Sequence, residues 1–392
     1  MINKVRGVIL AATIIIVSVG LIVLSYVARG YRFDMETFKF IPSGLFVVKS
    51  DPDGAQLFVN GELKTATNAS ISLSPGIYNI VLRKEGYISW EKRIEIQKEV
   101  VTQIDAMLFR SAPSLSALTF SSLENPHSTK DQTKIGFIIP PQTESNGNKA
   151  GLWVIETSNL PIGFSKDPRL ITDGDLANAT WLWSPDGSEI LLTIDKGVFL
   201  LDTGKYTPQN ERINISSKLD SILADWQKEE TKKLNAKIKR LPDELVSILE
   251  RKVDSLLFSP NENKILYTAS GSASIPIDLI KPVPGASTQK QERNIKENLT
   301  YVYDIKEDRN FEIGEIDPSQ KVTWFPTSDH LMFAENEKVT IMDYDGTNRQ
   351  SVYTGAYEVP HAFSTPSKDR LLILTSLGAI SSPPNLYSLN LK

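Results

Sequence analysis

Residues Ala179–Asp202 read ATWLWSPDGSEILLTIDKGVFLLD, and this stretch decides how the rest of the chain is read. Trp181 and Trp183 stand at alternate positions before a Ser-Pro-Asp-Gly turn. An apolar run, Ile190 to Ile194, then an Asp-Lys-Gly turn and a second apolar run, Val198 to Leu201, follow. Proline presets one turn angle, glycine accepts positive φ, and β-branched or aromatic residues suit a pleated surface. The pattern predicts three short antiparallel strands joined by tight turns. Such a meander cannot bury both faces alone, so copies of it are expected elsewhere.

Three more copies are clear: Val253 to Ser270 (VDSLLFSPNENKILYTAS), Val322 to Asp345 (VTWFPTSDHLMFAENEKVTIMDYD) and His361 to Ser376 (HAFSTPSKDRLLILTS). Each carries an aromatic residue just before a Ser/Pro-containing turn and then an apolar strand. A fainter copy runs from Asn125 to Pro140. Five copies predict radially stacked sheets, a five-bladed β-propeller over 114–392. The Trp183-Ser-Pro-Asp-Gly-Ser-Glu-Ile190 form and the Met342-Asp-Tyr-Asp-Gly-Thr-Asn348 hairpin resemble the TolB-like, WD-repeat-like propellers. Such a ring is closed by a blade built from both ends of the domain, which removes an open sheet edge. Leu115 to Phe120 is therefore expected to complete the blade of His361 to Lys392.

Two insertions interrupt the repeats. Ser216 to Lys252 has Leu219, Leu223, Trp226, Leu234, Ile238 and Leu241 at helical spacings, with Ser217 placed to cap its start. Pro242 breaks it into two helices. Gly271 to Asn298 is rich in Ser, Pro, Gln and Lys and reads as a long loop. Counting strands outward from the axis puts the first insertion between blades and the second between the middle strands of the next blade. Both should then leave from one end of the strands, as should the expansions at Gln142–Lys149 and Leu377–Pro384. Elaborations on repeat proteins tend to gather on the binding side. Trp226, Lys233, Lys237 and Arg240 of the helical insertion are accordingly the candidate partner-binding residues.

Upstream, Gly44 to Leu108 carries six short runs of strand character separated by Pro52-Asp-Gly, Asn60-Gly, Pro75-Gly and Glu85-Gly turns, which predicts a small β-sandwich over 44–109. Ser50-Asp-Pro-Asp-Gly-Ala55, Leu57-Phe-Val-Asn-Gly61, Leu73-Ser-Pro-Gly-Ile-Tyr78 and Lys84-Glu-Gly-Tyr-Ile88 resemble the PEGA domain, with its eponymous Pro-x-Gly-Ala at Pro52–Ala55. Lys64 to Ala69 departs from the family pattern, which leaves the shape of that connection open. The resemblance implies an envelope module that contacts protein or carbohydrate and brings no catalytic set.

Val8 to Ala28 is the longest apolar run and has the ~20 residues a bilayer-spanning helix needs. It is too long for a cleaved signal, and Tyr26 would occupy the −3 position of the site before Arg29. Residues 1–32 are therefore expected to form an uncleaved single-pass anchor. The domains after it have an exported character, which places them outside the cytoplasm.

The 392 residues allow two or three domains, and a net charge of −4 gives no basic bias toward nucleic acid. The absence of cysteine removes disulfides, thiolate metal sites and cysteine nucleophiles. His127, His330 and His361 lie in separate copies without ligand spacing, no nucleophile elbow occurs, and no cofactor or metal is expected. Asp343 to Asn348 lacks the third acidic position before its glycine and the distal glutamate of a calcium loop and reads as an Asp-Gly turn. The expected function is non-catalytic: a membrane-anchored envelope protein whose propeller face recognises protein or surface polysaccharide. Two alternatives are a glycan lyase or hydrolase acting through carboxylates at the propeller axis, and a TolB-like partner in envelope assembly. Convergent acids, arginines or histidines around the axis would favour the enzyme; small or apolar residues would favour binding.

Overall fold

The computed structural model describes every residue except 1, 29, 36–37, 142–148, 159–166, 282 and 380–382. The expected expansions at 142–149 and 377–384 therefore fall largely outside the described residues. The chain is mainly β and divides into two compact units, Met1–Leu108 with Pro282–Lys290, and Phe109–Lys281 with Gln291–Lys392.

The first unit begins with helix α1, Ile2–Ala28. Its segment Ile9–Ala28 has a mean hydropathy of 2.6 and is long and apolar enough to cross a membrane. Two sheets follow. Gly44–Asp51 lies between Ala69–Leu73, antiparallel, and Val101–Met107, parallel. The other sheet orders Glu62–Ala66, Gln56–Val59, Gly76–Arg83 and Trp90–Ile96. Alternation along Gly44–Asp51 buries Phe46 and Val48, which join Leu57, Val59, Ile80, Leu82, Trp90 and Ile96 from the second sheet in one hydrophobic cluster. The sequence did not reveal Glu62–Ala66 as a strand. It is polar on both faces and little buried, so the alternation that marks a strand is missing. Thr288 and Gln289 bond to the backbone of Glu95 and Arg93 along the outer strand Trp90–Ile96, at 3.1 and 2.6 Å.

Among the described residues the second unit holds five antiparallel sheets of three or four strands, built from the five copies, and a two-stranded one, Ala273–Ser274 with Asn294–Ile295, within the segment expected to be a loop. The first contains Glu124–Ser128, Lys134–Ile139, Gly151–Glu156 and Arg169–Asp173; the second, Thr180–Trp183, Glu189–Ile194 and Gly197–Asp202. The third contains Val253–Phe258, Lys264–Ala269, Leu299–Asp304 and Arg309–Glu315; the fourth, Lys321–Trp324, His330–Glu335, Lys338–Asp343 and Gln350–Thr354. The fifth contains Ala362–Ser364, Arg370–Thr375 and Asn385–Asn390, and its fourth strand is Leu115–Ala117 from upstream of the first sheet. Leu115 pairs with Leu389 and Ala117 with Tyr387, so the expected closing strand is present. In the second sheet an isolated bridge, Phe199 to Asn214, stands where a fourth strand would lie.

What repeats most faithfully is the turn after each first strand. The N–H groups of Thr129, Ser184, Ser259 and Phe325 each bond the carbonyl five residues ahead, and the Thr365 hydroxyl does the same to Arg370. Three residues after these positions stand Gln132, Gly187, Glu262, Ser328 and Lys368, with φ of 61, 68, 60, 65 and 63°. Glycine suits that left-handed conformation, yet it occurs in one copy of the five. Side chains hold the turn in three copies, with the glycine and without it. Thr129 with Asp131, Ser184 with Asp186, and Ser259 with Asn261 make the same hydroxyl-to-Asx bond two residues on, at 2.6 to 2.9 Å. Hydrogen bonds from Ser184 and Ser188 hold the Asp186 carboxyl down at about 2.

Neighbouring sheets share cores. Phe363, Leu372, Leu374 and Leu386 of the fifth meet Ile135, Phe137 and Ile139 of the first. Ile138 and Val154 of the first meet Trp181, Ile190 and Leu192 of the second. Leu266 and Val302 of the third meet Trp324, Leu331 and Phe333 of the fourth. The alternate residues of the third sheet, Ile265, Tyr267, Tyr301 and Tyr303, are covered instead by both insertions: Leu245 and Leu249 of helix α3 (Asp243–Lys252), and Ile275 and Ile295 of the long loop. Asp308 anchors that loop by accepting from Arg293, Tyr303 and the Leu279 N–H at 3.0, 2.6 and 2.9 Å.

Helix α2, Leu219–Ile238, follows a short 3-10 turn, and Ser217 does not cap it; the residue before the helix is Lys218, with no side-chain cap bond. The insertion does not stay at the end of the sheets where it starts. Glu230 pairs with Lys130, and Lys237 and Arg240 pair with Glu262, both in turns at the opposite end. The reason is length. A 20-residue helix spans roughly 30 Å, against about 20 Å for a six-residue strand, so α2 runs past the sheets before α3 brings the chain back.

Candidate functional site

The first strands of the five sheets come together. Gln132, in the turn of the first sheet, donates to the Trp324 carbonyl of the fourth at 3.0 Å and accepts from Ser364 of the fifth at 2.6 Å. Trp183 donates its indole N–H to His127 O at 3.1 Å, and Trp324 donates to Leu257 O at 2.9 Å. A glycine at position 132 would satisfy the backbone and lose both cross-sheet bonds.

Counting back two residues from the repeated turn gives His127, Leu182, Leu257, Thr323 and Phe363, and counting back four gives Thr180, Ser255, Lys321 and His361. In the first sheet a register shift between Glu124 and His127 interrupts the series. Side-chain alternation puts these residues on one side of their strands. Leu182 is 57% exposed and Leu257 46%, and His127, Thr180, Ser255 and Lys321 are also open to solvent. Their neighbours Trp181 and Trp324 are buried between sheets.

Three basic groups meet here from three sheets. The His127 ring stands edge-on to Trp181 at 5.0 Å between centroids. The His361 ring lies nearly parallel to Phe363 at 6.2 Å, and the Lys321 ammonium is 5.8 Å from the same phenyl ring. Desolvation lowers the Lys321 pKa even though its side chain meets solvent, as expected for a cation within a concavity. Desolvation, then the nearby Lys321 charge, lowers His127. Desolvation, then His127 and Lys321, pushes His361 down to about 4, against a bond to the Pro126 carbonyl that works the other way. His330 is apart from this group. It is buried, with Nδ1 2.7 Å from the Thr327 hydroxyl and Nε2 3.5 Å from Asp343. Among the described residues no three His, Asp or Glu side chains are grouped to hold a metal ion.

The depressed pKa of His361 has a measurable consequence. Between pH 6.5 and 4 the unfolded chain takes up a proton that the folded chain refuses, so stability is complete above 6.5 and declines as pH falls through that window. From pH 7 to pH 5 the loss attributable to His361, reduced by the solvent that still reaches the ring, should be about 1 kcal/mol, and His361→Gln should remove it. Urea midpoints of both proteins at the two pH values provide the check; equal losses would rule the effect out.

The residues singled out on the helical insertion are arranged differently from this cluster. Trp226 is half-buried. Lys233 pairs with Glu229 one turn back at 2.7 Å, while Lys237 and Arg240 converge on the two oxygens of Glu262 at 3.0 and 3.4 Å. Exposed pairs of this kind contribute ~0–1 kcal/mol, so they leave these side chains free to exchange partners. Sequence reading missed the association of His127, His361 and Lys321 because the three are far apart in the chain. A signal was present for two of them: Lys321 and His361 stand at the same distance before their turns.

Residues 43–111 match the PEGA domain. No curated protein matches the chain significantly. Solved structures similar to it include TolB from Acinetobacter baumannii, 11% identical with a TM-score of 0.23, over 80% of this chain and 59% of that one. The Cps50 (Swd1) β-propeller domain of Myceliophteria thermophila is 9% identical with a TM-score of 0.32, over 72% and 100% of the two chains. An oligogalacturonate lyase from Vibrio parahaemolyticus is 11% identical with a TM-score of 0.22, over 92% and 96%. At such scores the likeness does not extend to function.

Proposed function

We propose that this chain is a membrane-anchored binding protein of the cell envelope. In this reading residues 1–32 form the anchor, 44–109 a PEGA β-sandwich, and 114–392 a five-bladed TolB-like propeller exposed outside the cytoplasm. The PEGA domain, an extracytoplasmic module, supports the compartment, and the apolar segment Ile9–Ala28 supports the anchor. Five sheets with equivalent turns, the fifth completed from upstream, support the ring.

The observation that carries the binding role is the character of the converging first strands. Their exposed positions hold Leu182, Leu257, Thr180 and Ser255 beside the basic group, and no pair of carboxylates of the kind glycan hydrolysis uses. The recognised partner is an envelope protein or polysaccharide. Helix α2 offers a second contact surface, with Leu223 37% and Leu234 38% exposed beside Trp226, Lys233, Lys237 and Arg240.

Removing the whole insertion is a poor test, because Leu241, Leu245 and Leu249 belong to the core. A photo-crosslinking residue at Leu182, Leu257 or Leu223 of the full-length protein in intact cells is preferable, with the exposed Lys64 of the first unit as control. Adducts with one envelope component from the first three positions and none from Lys64 are expected. No adducts above the control would overturn the binding role. Protection of the C-terminal region from external protease in spheroplasts would overturn the orientation.

A further inference from the structure

We propose that the place where His127, Lys321 and His361 meet is a binding site for an oxyanion, a carboxylate or a phosphate group. His127 and Lys321 lie on the first strands of the first and fourth sheets, and His361 immediately precedes the first strand of the fifth. Like charges repel, and a cation out of bulk water loses solvation, so gathering basic groups is unfavourable unless something neutralises them. Among the described residues Lys321 makes no ion pair, and its neighbour is the face of Phe363.

Further donors lie close by. Thr323 stands two residues beyond Lys321 on the same side of its strand, and its hydroxyl is buried without a hydrogen-bond partner among the described residues. The indole N–H of Trp181, packed against the His127 ring, is also buried and unpartnered. An ammonium, a hydroxyl, two imidazoles and an indole N–H form a set of donors. They suit an acceptor with several lone pairs and negative charge. Phe363, Leu182 and Leu257 supply apolar walls, which strengthen charge-assisted bonds by excluding water. The titratable groups that face one another here are Lys321 from the fourth sheet, His127 from the first and His361 from the fifth. An anion among them favours protonated imidazole and raises both histidine pKa values. This deepens the binding role proposed above by naming the chemistry recognised.

The test uses histidine-labelled full-length protein in nanodiscs of neutral lipid, titrated with inorganic phosphate in one arm and acetate in the other, with sodium chloride holding ionic strength constant. Saturable shifts of the His127 and His361 imidazole signals, with a rise in their pKa, are expected in at least one arm. The arm with the tighter midpoint identifies the oxyanion. Lys321→Met should weaken the midpoint by about tenfold or more, and Thr323→Val by severalfold. Thr323→Val, which removes only the unpartnered hydroxyl, decides the matter where Lys321→Met disturbs the fold. Linear, unsaturated shifts in both arms, or midpoints unchanged in both variants, would overturn the site. The crosslinking result stands apart from either outcome, since an uncharged partner would still give adducts.

Discussion

Replacing Ser116 by proline should lower the stability of the second unit by about 3 kcal/mol or more, whereas Ser116→Ala should leave it unchanged. The Ser116 side chain is exposed, so neither substitution removes a packed group. Its backbone is another matter. Asn390 N bonds Ser114 O and Leu118 N bonds Leu386 O, and in an antiparallel ladder hydrogen-bonded pairs recur at every second residue. Ser116 and Ser388 therefore form the pair between them. Proline has no N–H to give there, and its ring displaces the strand. Once the three-residue strand leaves, Asn385–Asn390 becomes an open edge carrying unpaired N–H and C=O groups, which invites pairing with other chains. A lower urea midpoint for the proline variant, with concentration-dependent light scattering near the transition, is the expected result. Identical midpoints for Ser116→Pro and Ser116→Ala would show that the fifth sheet does not depend on its upstream strand.

Gly136→Val should cost 3 kcal/mol or more, and Gly136→Ala about 2 kcal/mol, although both enlarge an apolar core. Gly136 stands opposite His127 on the second strand of the first sheet. A Cβ there would lie 2.6 and 3.0 Å from two ring carbons of Trp181 and 3.1 Å from Trp183. Trp181 is 5% exposed and packed among Ile138, Val154, Ile190 and Leu192, so its rigid ring has nowhere to move. The strain should reach the His127 ring, which stands against Trp181. A double-mutant cycle with Trp181→Leu isolates the cause. Adding Trp181→Leu to Gly136→Ala should recover at least about 1 kcal/mol relative to additivity, because the smaller side chain makes room. Strict additivity in urea unfolding would refute the contact as the source of the loss.

Features set by neighbouring residues were legible in the sequence. The apolar run ending at Ala28, the strands of the five copies, the break at Pro242 and the pairing of the expected Leu115–Phe120 segment, through Leu115–Ala117, with the last strand all follow from turn residues, alternation and the need to bury an edge. The worn copies had a physical cause. Gln132, Glu262, Ser328 and Lys368 adopt the left-handed angle that Gly187 marks openly, and hydroxyl-to-Asx bonds hold several of those turns without a glycine to announce them. Other features needed the assembled chain. A helix longer than a strand carried the insertion to the end of the sheets opposite the one from which it departs, and Glu62–Ala66 joined its sheet through the backbone of a neighbour rather than through its own pattern.

The candidate site was the least legible part, since its chemistry arises from residues that are unremarkable one at a time. In the sequence His127, Lys321 and His361 are separate polar residues near turns or strand starts. Converging first strands make them neighbours, and proximity in a poorly solvated place alters their protonation. The amino-acid order by itself determined the elements, their repetition and how the last sheet is completed, because those depend on local angles and on hydrogen bonds that every strand must satisfy. Which side chains face one another was decided by tertiary structure alone, because Coulomb energy and solvation depend on distance through space and not on separation along the chain.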